Sequence, residues 1–303
     1  MAAPAQSSPA GVESTYKARD VEGVLDIYFY RPIGYRLALV FAQLRFTPSM
    51  VSLLGASIGI AAGHFYFYRD LRLNMLGICL HIFTNALDNA DGQLARLTNR
   101  GSLHGAVVDG FADYVVFLSV YVHLCFRCMA EGGSAAVWLL ALAAGMSHAV
   151  QSMMIDYYRY GYLQFVGGKR SADANASETV RAAYEATSWS DFLKKLGLRN
   201  YLNYTRQQEA LAPNLLRLRL ATAAAIPEWL RDAYRAACKP LVKWCNCLAT
   251  NPRMLVLFAF LLLGQPVWYL IVEVTIMNVL LAYVLFRHDA VFRSLLARLQ
   301  EAR

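Results

Sequence analysis

The chain has 303 residues, of which 57% are hydrophobic and 17% are charged, and its mean hydropathy is +0.33. This composition excludes a disordered tail, a collagen and a small disulfide scaffold, and it carries too few charges for an ordinary soluble domain. The net charge is +8. In a chain this apolar, an excess of basic residues indicates the cytosolic face of a membrane protein, so we expect no nucleic acid partner.

The first predicted elements are a polar tail and a helix on the membrane surface. Residues 1–23 form the tail, and Val24–Leu44 has the mixed pattern of an interfacial helix, interrupted at Pro32–Gly34. Six apolar runs of roughly 20 residues follow, the length that a membrane-spanning helix needs. They cover residues 49–68, 73–95, 103–126, 135–158, 253–267 and 268–286. The sequence therefore predicts an all-α integral membrane protein with six transmembrane helices and an N-terminal amphipathic interfacial helix.

The polar connection between the fourth and fifth spans predicts a cytosolic helical insertion at residues 166–250. Within it, Pro227–Leu248 has the amphipathic pattern of a helix that lies on the membrane. The insertion separates residues 24–165, which hold the interfacial helix and spans one to four, from residues 251–303, which hold spans five and six and the C-terminus.

Basic residues predict the orientation in the membrane. Of the 29 Lys and Arg residues, Arg69, Arg72 and Arg127 alone fall on the side opposite the termini. Because positively charged loops stay in the cytoplasm, we expect both termini and the insertion to be cytosolic.

Four acids stand at the cytosolic ends of spans two and three, where ionisable residues are costly and indicate function. Asp88 and Asp91 are three residues apart, and Asp109 and Asp113 are four apart, so each pair shares one helical face. A short loop makes the two helices antiparallel with these ends adjacent. The sequence therefore predicts that four carboxylates converge at one membrane depth.

Four close carboxylates in a low dielectric need cations to remain ionised. An all-oxygen ligand set suits Mg²⁺, Mn²⁺ or Ca²⁺ rather than zinc or copper. A site with two such ions beside the cytosol is typical of phosphoryl transfer, because it holds a diphosphate and stabilises displacement at phosphorus.

Small and basic residues between the acids indicate a nucleotide diphosphate. Arg96 lies about one turn beyond Asp91 and presents a planar guanidinium suited to phosphate. Gly92, Ala95 and Gly105 leave room for a base and ribose, although close helix packing also explains small residues at such positions.

The stretch reads Asp88-x2-Asp91-Gly92-x2-Ala95-Arg96-x8-Gly105-x3-Asp109-x3-Asp113, which matches the signature of the CDP-alcohol phosphotransferases, also called CDP-alcohol phosphatidyltransferases, at all eight fixed positions. The six spans, the cytosolic termini and the amphipathic entry segment also resemble this family. Ser49 departs from the family's Thr-Pro-Asn at the start of span one, where this chain has Thr47-Pro48-Ser49.

The resemblance implies roles for these residues. Asp88, Asp91 and Asp109 would hold the metals, and Asp113 would contact the second metal or act as the general base. Gly92, Arg96 and Gly105 would line the CDP pocket, with Ala95 beside them. An acceptor hydroxyl would attack the β-phosphorus of a CDP-alcohol and release CMP, in phospholipid biosynthesis at the bacterial inner (cytoplasmic) membrane.

The head group is the most open part of the prediction. Gln93, Leu94 and Gly110 stand where choline and ethanolamine members have a Lys-Gln pair and a His. The segment 91–96 and the entry phrase 27–35 resemble bacterial members that handle inositol phosphate or related head groups. Phosphatidylglycerophosphate and phosphatidylserine synthesis remain alternatives, and either the lipid (CDP-diacylglycerol) or the head group would carry the CDP.

Two other classes also place acids in membranes. Intramembrane prenyltransferases carry two Asp-rich motifs on well-separated helices, and metal-ion transporters need acids near the midplane with a path to both faces. Neither pattern fits acids clustered at cytosolic helix ends. We also expect a homodimer through spans three and four, where small residues allow close approach, namely Ala141, Ala143, Ala144 and Gly145.

Overall fold

The computed structural model describes residues 20–167 and 177–302, which form α-helices and contain no β-strand. Most of the predicted tail, up to residue 19, and residues 168–176 of the predicted insertion lie outside the described residues. The helices are α1 Arg31–Gln43, α2 Pro48–Phe65, α3 Leu71–Leu97, α4 Leu103–Ala130, α5 Val137–Phe165, α6 Ser177–Ala186, α7 Phe192–Leu211, α8 Pro213–Ala221, α9 Glu228–Cys247, α10 Thr250–Leu262, α11 Val267–Val274 and α12 Ile276–Glu301.

Five helical segments in the described part of the chain are long and apolar enough to cross a membrane. They are Pro48–Phe65, Gly105–Ala130, Val137–Phe165, Glu228–Leu262 and Val267–Glu301. The predicted all-α membrane class is therefore confirmed.

Six spans were expected, and the difference lies in α3, which corresponds to the predicted second span. This helix has 27 residues, but it is not among the five segments. Polar residues recur along α3, and Asn74, His81 and Asp91 are buried. These polar side chains lower the mean hydropathy of α3, and because they are buried they contact protein. A turn at Gly264, where φ is +69°, separates α10 from α11.

The described residues fall into two compact units divided between Arg127 and Cys128. In the first unit, α3 packs against both α1 and α2. Thr47 caps α2 by accepting a hydrogen bond from the Met50 amide at 3.3 Å, and Pro48 takes the first helical position, where it loses no hydrogen bond.

The entry segment differs from the prediction, because Pro32–Gly34 does not interrupt its helix. A π-helical turn at Asp26–Tyr30 leads directly into α1. The wider turn accommodates a proline, which lacks the amide hydrogen and crowds the preceding turn. Gly34 brings α1 close to α3, since a Cβ there would lie 3.0 Å from the Cβ of Asn89.

The second unit packs α5 against α9, α11 and α12. Tyr234 of α9 stacks on Phe165 with ring centroids 4.5 Å apart. The apolar face of α9 is thus buried inside the unit, and the prediction that Pro227–Leu248 lies on the membrane was wrong about this face. From α7, Gln208 donates to the Met153 carbonyl of α5 at 2.9 Å, so the insertion packs along α5.

A buried ion pair joins the later helices of this unit. Arg253 of α10 and Glu273 of α11 are both 0% exposed, and their side chains meet at 3.0 Å. Arg253 also donates to Gln151 of α5 at 2.7 Å, and Gln151 donates to Asn278 of α12 at 2.9 Å. Four helices therefore share one polar network in an apolar environment.

Candidate active site

The two helices that carry the acids are joined by a tight reversal. Asn99 adopts the left-handed conformation with φ of +56° just after α3. The Arg100 amide then donates to the Ala95 carbonyl at 3.0 Å, which completes a Schellman-type cap. Ser102 caps α4 by accepting from the Gly105 amide at 3.0 Å. These caps bring the first turns of α4 next to the last turns of α3.

The reversal brings together three of the predicted metal ligands. Asp88 and Asp91 of α3 and Asp109 of α4 each offer a carboxylate oxygen, and these oxygens lie within 4.8 Å of one another. Asp91 is the most buried of the three, with 5% of its surface exposed. Ionised carboxylates this close together repel one another, and positive charge between them would offset the repulsion.

Asp113, the fourth predicted acid, lies outside this triplet but lines the same pocket. It is exposed, unlike Asp91. The pocket is formed by α2, α3 and α4 and is lined by Ser52, Gly55, Ala56, Thr84, Asp88, Asp91, Asp109, Ala112, Asp113 and Val116.

The donor set fits a hard divalent cation. Mg²⁺ binds oxygens at about 2.1 Å, so oxygens on opposite sides of one ion are about 4.2 Å apart. The three carboxylate oxygens lie within 4.8 Å of one another, which is compatible with binding to a single ion. Carboxylate oxygens are the ligands that Mg²⁺ and Mn²⁺ prefer.

Sequence reasoning missed Ser52, which contributes to this pocket from α2. Its hydroxyl donates to Oδ2 of Asp91 at 2.6 Å, and both side chains are buried. The spacing of residues in α2 could have indicated Ser52. It lies on the same helical face as Gly55 and Gly59, and this face packs against the neighbouring helices.

The predicted nucleotide residues lie beside the pocket rather than in its lining. Gly92, Ala95 and Arg96 occupy the last turns of α3, and Gly105 occupies the first turn of α4. A Cβ at Gly92 would lie 3.6 Å from the guanidinium of Arg96, so this exposed arginine folds back over the glycine. None of the four is among the described residues that line the acidic pocket.

The segment that contains this site is similar to a known protein family. Residues 45–171 match a family model described as CDP-alcohol phosphatidyltransferase. No curated protein matches the chain. The matched segment holds the four acids and the residues of the reversal, and it ends before α6.

Proposed function

We propose that the protein transfers a phospho-alcohol group from a CDP-alcohol to an acceptor hydroxyl, releasing CMP, with Mg²⁺ or Mn²⁺ as cofactor. The match of residues 45–171 to the CDP-alcohol phosphatidyltransferase family model supports this proposal. The observation that carries this proposal is the convergence of Asp88, Asp91 and Asp109 inside the matched segment. The family match favours this class over the intramembrane prenyltransferases and the metal-ion transporters.

Asp88, Asp91 and Asp109 would hold the metal, and the second of two ions would also contact Asp113. When bound, these cations would supply positive charge that stabilises the diphosphate and the departing CMP. The proposal draws support from the all-carboxylate donor set and from the burial of Asp91.

Asp113 would act as the general base. The acceptor oxygen would form a bond to the β-phosphorus while its proton passes to the Asp113 carboxylate, and the bond from the β-phosphorus to the bridging oxygen would break. The exposure of Asp113, and its place in the pocket lining outside the triplet, support a role toward a substrate. General-base catalysis contributes on the order of 10²–10⁴-fold.

Gly92, Ala95, Arg96 and Gly105 would bind the CDP group. Arg96 is an exposed residue, and its guanidinium would meet a phosphate in a planar, two-bond contact. The absence of side chains at Gly92 and Gly105 would let the nucleotide approach the backbone of α3 and α4.

We further propose that the transferred group is an inositol phosphate or a related head group, with phosphatidylglycerophosphate and phosphatidylserine synthesis as alternatives. The protein would be purified and incubated with CDP-diacylglycerol or CDP-inositol and several acceptors, and CMP release would be followed. Release with one donor and one acceptor identifies the reaction, and no release with any pair contradicts the proposed function.

The proposed setting is the bacterial inner membrane, with both termini and the active site in the cytosol. The distribution of Lys and Arg supports this orientation. Reporter fusions to each terminus test it, since a reporter active only outside the cytosol should stay inactive at both ends.

A further inference from the structure

Ser52 is a polar side chain on an apolar helix, and its hydroxyl lies 2.6 Å from Oδ2 of Asp91. We propose that Ser52 is a positioning residue: it holds one carboxylate oxygen of Asp91 and thereby sets the affinity of the site for divalent metal. The inference rests on the metal dependence proposed above and assigns a role to a residue outside the carboxylate set.

The hydroxyl proton of Ser52 has two acceptors within reach. The carbonyl of Pro48, one turn earlier, is 3.2 Å away, whereas the Asp91 oxygen is 2.6 Å away. A hydroxyl carries a single proton, and a bond to a carboxylate is both shorter and stronger than one to a neutral carbonyl. The proton of Ser52 is therefore directed at Asp91.

Another serine on α2 shows the alternative arrangement. Ser57 donates to the Leu53 carbonyl at 2.9 Å, the local bond that a serine in a helix commonly makes. Ser57 is exposed, whereas Ser52 is 6% exposed. The two serines thus differ in acceptor and in burial while sharing one helix.

The packing between α2 and α3 keeps Ser52 in place. One turn further along α2, the Gly55 carbonyl accepts a hydrogen bond from Thr84 of α3 at 3.3 Å. A Cβ at Gly55 would lie 3.4 Å from the Cβ of Leu87, which is ordinary contact distance. Since both helix backbones are fixed here, the hydroxyl restricts the orientation of the Asp91 carboxylate.

Hydrogen bonds to metal ligands orient them, and removing such a partner typically lowers metal affinity or activity by 10–100-fold. Without the hydroxyl, the Asp91 carboxylate keeps its charge but gains rotational freedom. We therefore expect Ser52→Ala to weaken metal binding by about 10–100-fold. Ser52→Thr retains a hydroxyl at the same position and should restore most of the affinity.

The experiment measures Mn²⁺ binding to the full-length protein in nanodiscs, without substrate, by electron paramagnetic resonance. Ser57→Ala is the matched control, because it removes a serine hydroxyl from the same helix, and its affinity should equal that of the wild type. The Mn²⁺ concentration for half-maximal activity should rise in Ser52→Ala in parallel with the dissociation constant. Thermal unfolding in EDTA shows whether each variant folds, and Ser52→Cys, which keeps the size with a weaker donor, replaces Ser52→Ala if that variant is unfolded.

The outcomes separate this inference from the proposed function. If the wild-type protein binds Mn²⁺ and the folded Ser52 variant binds it with the same affinity, the positioning role is overturned and the proposed function is not affected. A wild-type protein that binds no Mn²⁺ overturns the proposed metal dependence, and the role of Ser52 with it. A loss of affinity in Ser57→Ala equal to that in Ser52→Ala assigns the effect to helix stability and also overturns the positioning role.

Discussion

The acids of the pocket have different surroundings at the scale of single residues. Asp91 is buried and accepts a hydrogen bond from Ser52, whereas Asp113 is exposed at the wall of the same pocket. A carboxylate fixed by its surroundings suits a ligand, and a carboxylate open to the pocket suits proton transfer with a bound substrate.

Replacing the triplet tests the ligand role. We expect Asp88→Asn, Asp91→Asn and Asp109→Asn each to abolish activity while the protein still inserts into membranes, because an amide cannot supply the charge that attracts the cation. CMP release with and without Mg²⁺ or Mn²⁺ measures the effect. Full activity in EDTA would contradict metal dependence.

Asp113→Asn should separate chemistry from binding. The amide keeps the shape but accepts no proton, so turnover should fall by at least about 10²-fold while CDP-alcohol binding changes only several-fold. Asp109→Asn is the comparison variant and should lose both. Equal losses of nucleotide affinity in the two variants would mean that Asp113 acts only as a fourth metal ligand and not as the base.

At the scale of elements, glycines on one face of α2 allow α3 and α4 to approach closely. A Cβ at Gly59 would lie 2.6 and 2.8 Å from the two γ-carbons of Val116, and one at Gly63 would lie 2.6 Å from the Ser119 hydroxyl oxygen. Val116 also lines the pocket. The distance between these helices therefore depends on the lack of side chains.

Gly59→Ala should consequently destabilise the protein by about 1–3 kcal/mol through overpacking and reduce activity through displacement of α4. Thermal unfolding in detergent and CMP release measure the two effects. Gly110→Ala on α4 is the control, because a Cβ there would meet nothing within 4 Å. Equal unfolding temperatures for Gly59→Ala and the wild type would show that the helices separate at little cost.

The ion pair between α10 and α11 supports a second prediction at this scale. Arg253→Met alone leaves Glu273 as an uncompensated buried charge and should cost about 3–5 kcal/mol. The double variant Arg253→Met/Glu273→Leu removes both charges and should recover most of this loss. Thermal unfolding provides the measurement, and a double variant less stable than Arg253→Met would contradict the explanation.

At the scale of the whole molecule, the outer faces of the candidate spans are apolar. On α4, Phe111 and Leu118 are 64% and 61% exposed, and on α5, Leu139 and Leu142 are 73% and 62% exposed. Exposed apolar faces are suited to lipid or to another apolar helix. Among the small residues expected at a dimer interface, Ala141 and Ala144 are buried within the protomer, so any dimer contact on α5 must use the neighbouring exposed positions.

We retain the prediction of a homodimer through α4 and α5 and expect a native mass of twice 33.8 kDa, after correction for bound lipid. Native mass spectrometry from nanodiscs or detergent measures it directly. A monomer mass across a range of protein concentrations would contradict the dimer.

The sequence by itself determined the helical membrane class and the pairing of the acids on common helical faces. Apolar run length indicates spanning helices because a bilayer has a fixed thickness, and spacings of three and four residues place Asp88 with Asp91, and Asp109 with Asp113, on common faces. The short connection of residues 98–102 then leaves few ways to arrange the two helices. These features are local, so a pattern within a few turns is enough to predict them.

Only the tertiary structure decided which distant side chains meet. Ser52 and Asp91 are 39 residues apart, and Arg253 and Gln151 are 102 apart. Each contact depends on the register and distance between packed helices, which are set by many weak interactions together. The same reason explains α9, whose amphipathic pattern fits a membrane surface and a protein core equally well. Periodicity predicts that a helix has an apolar face, and packing decides what covers it.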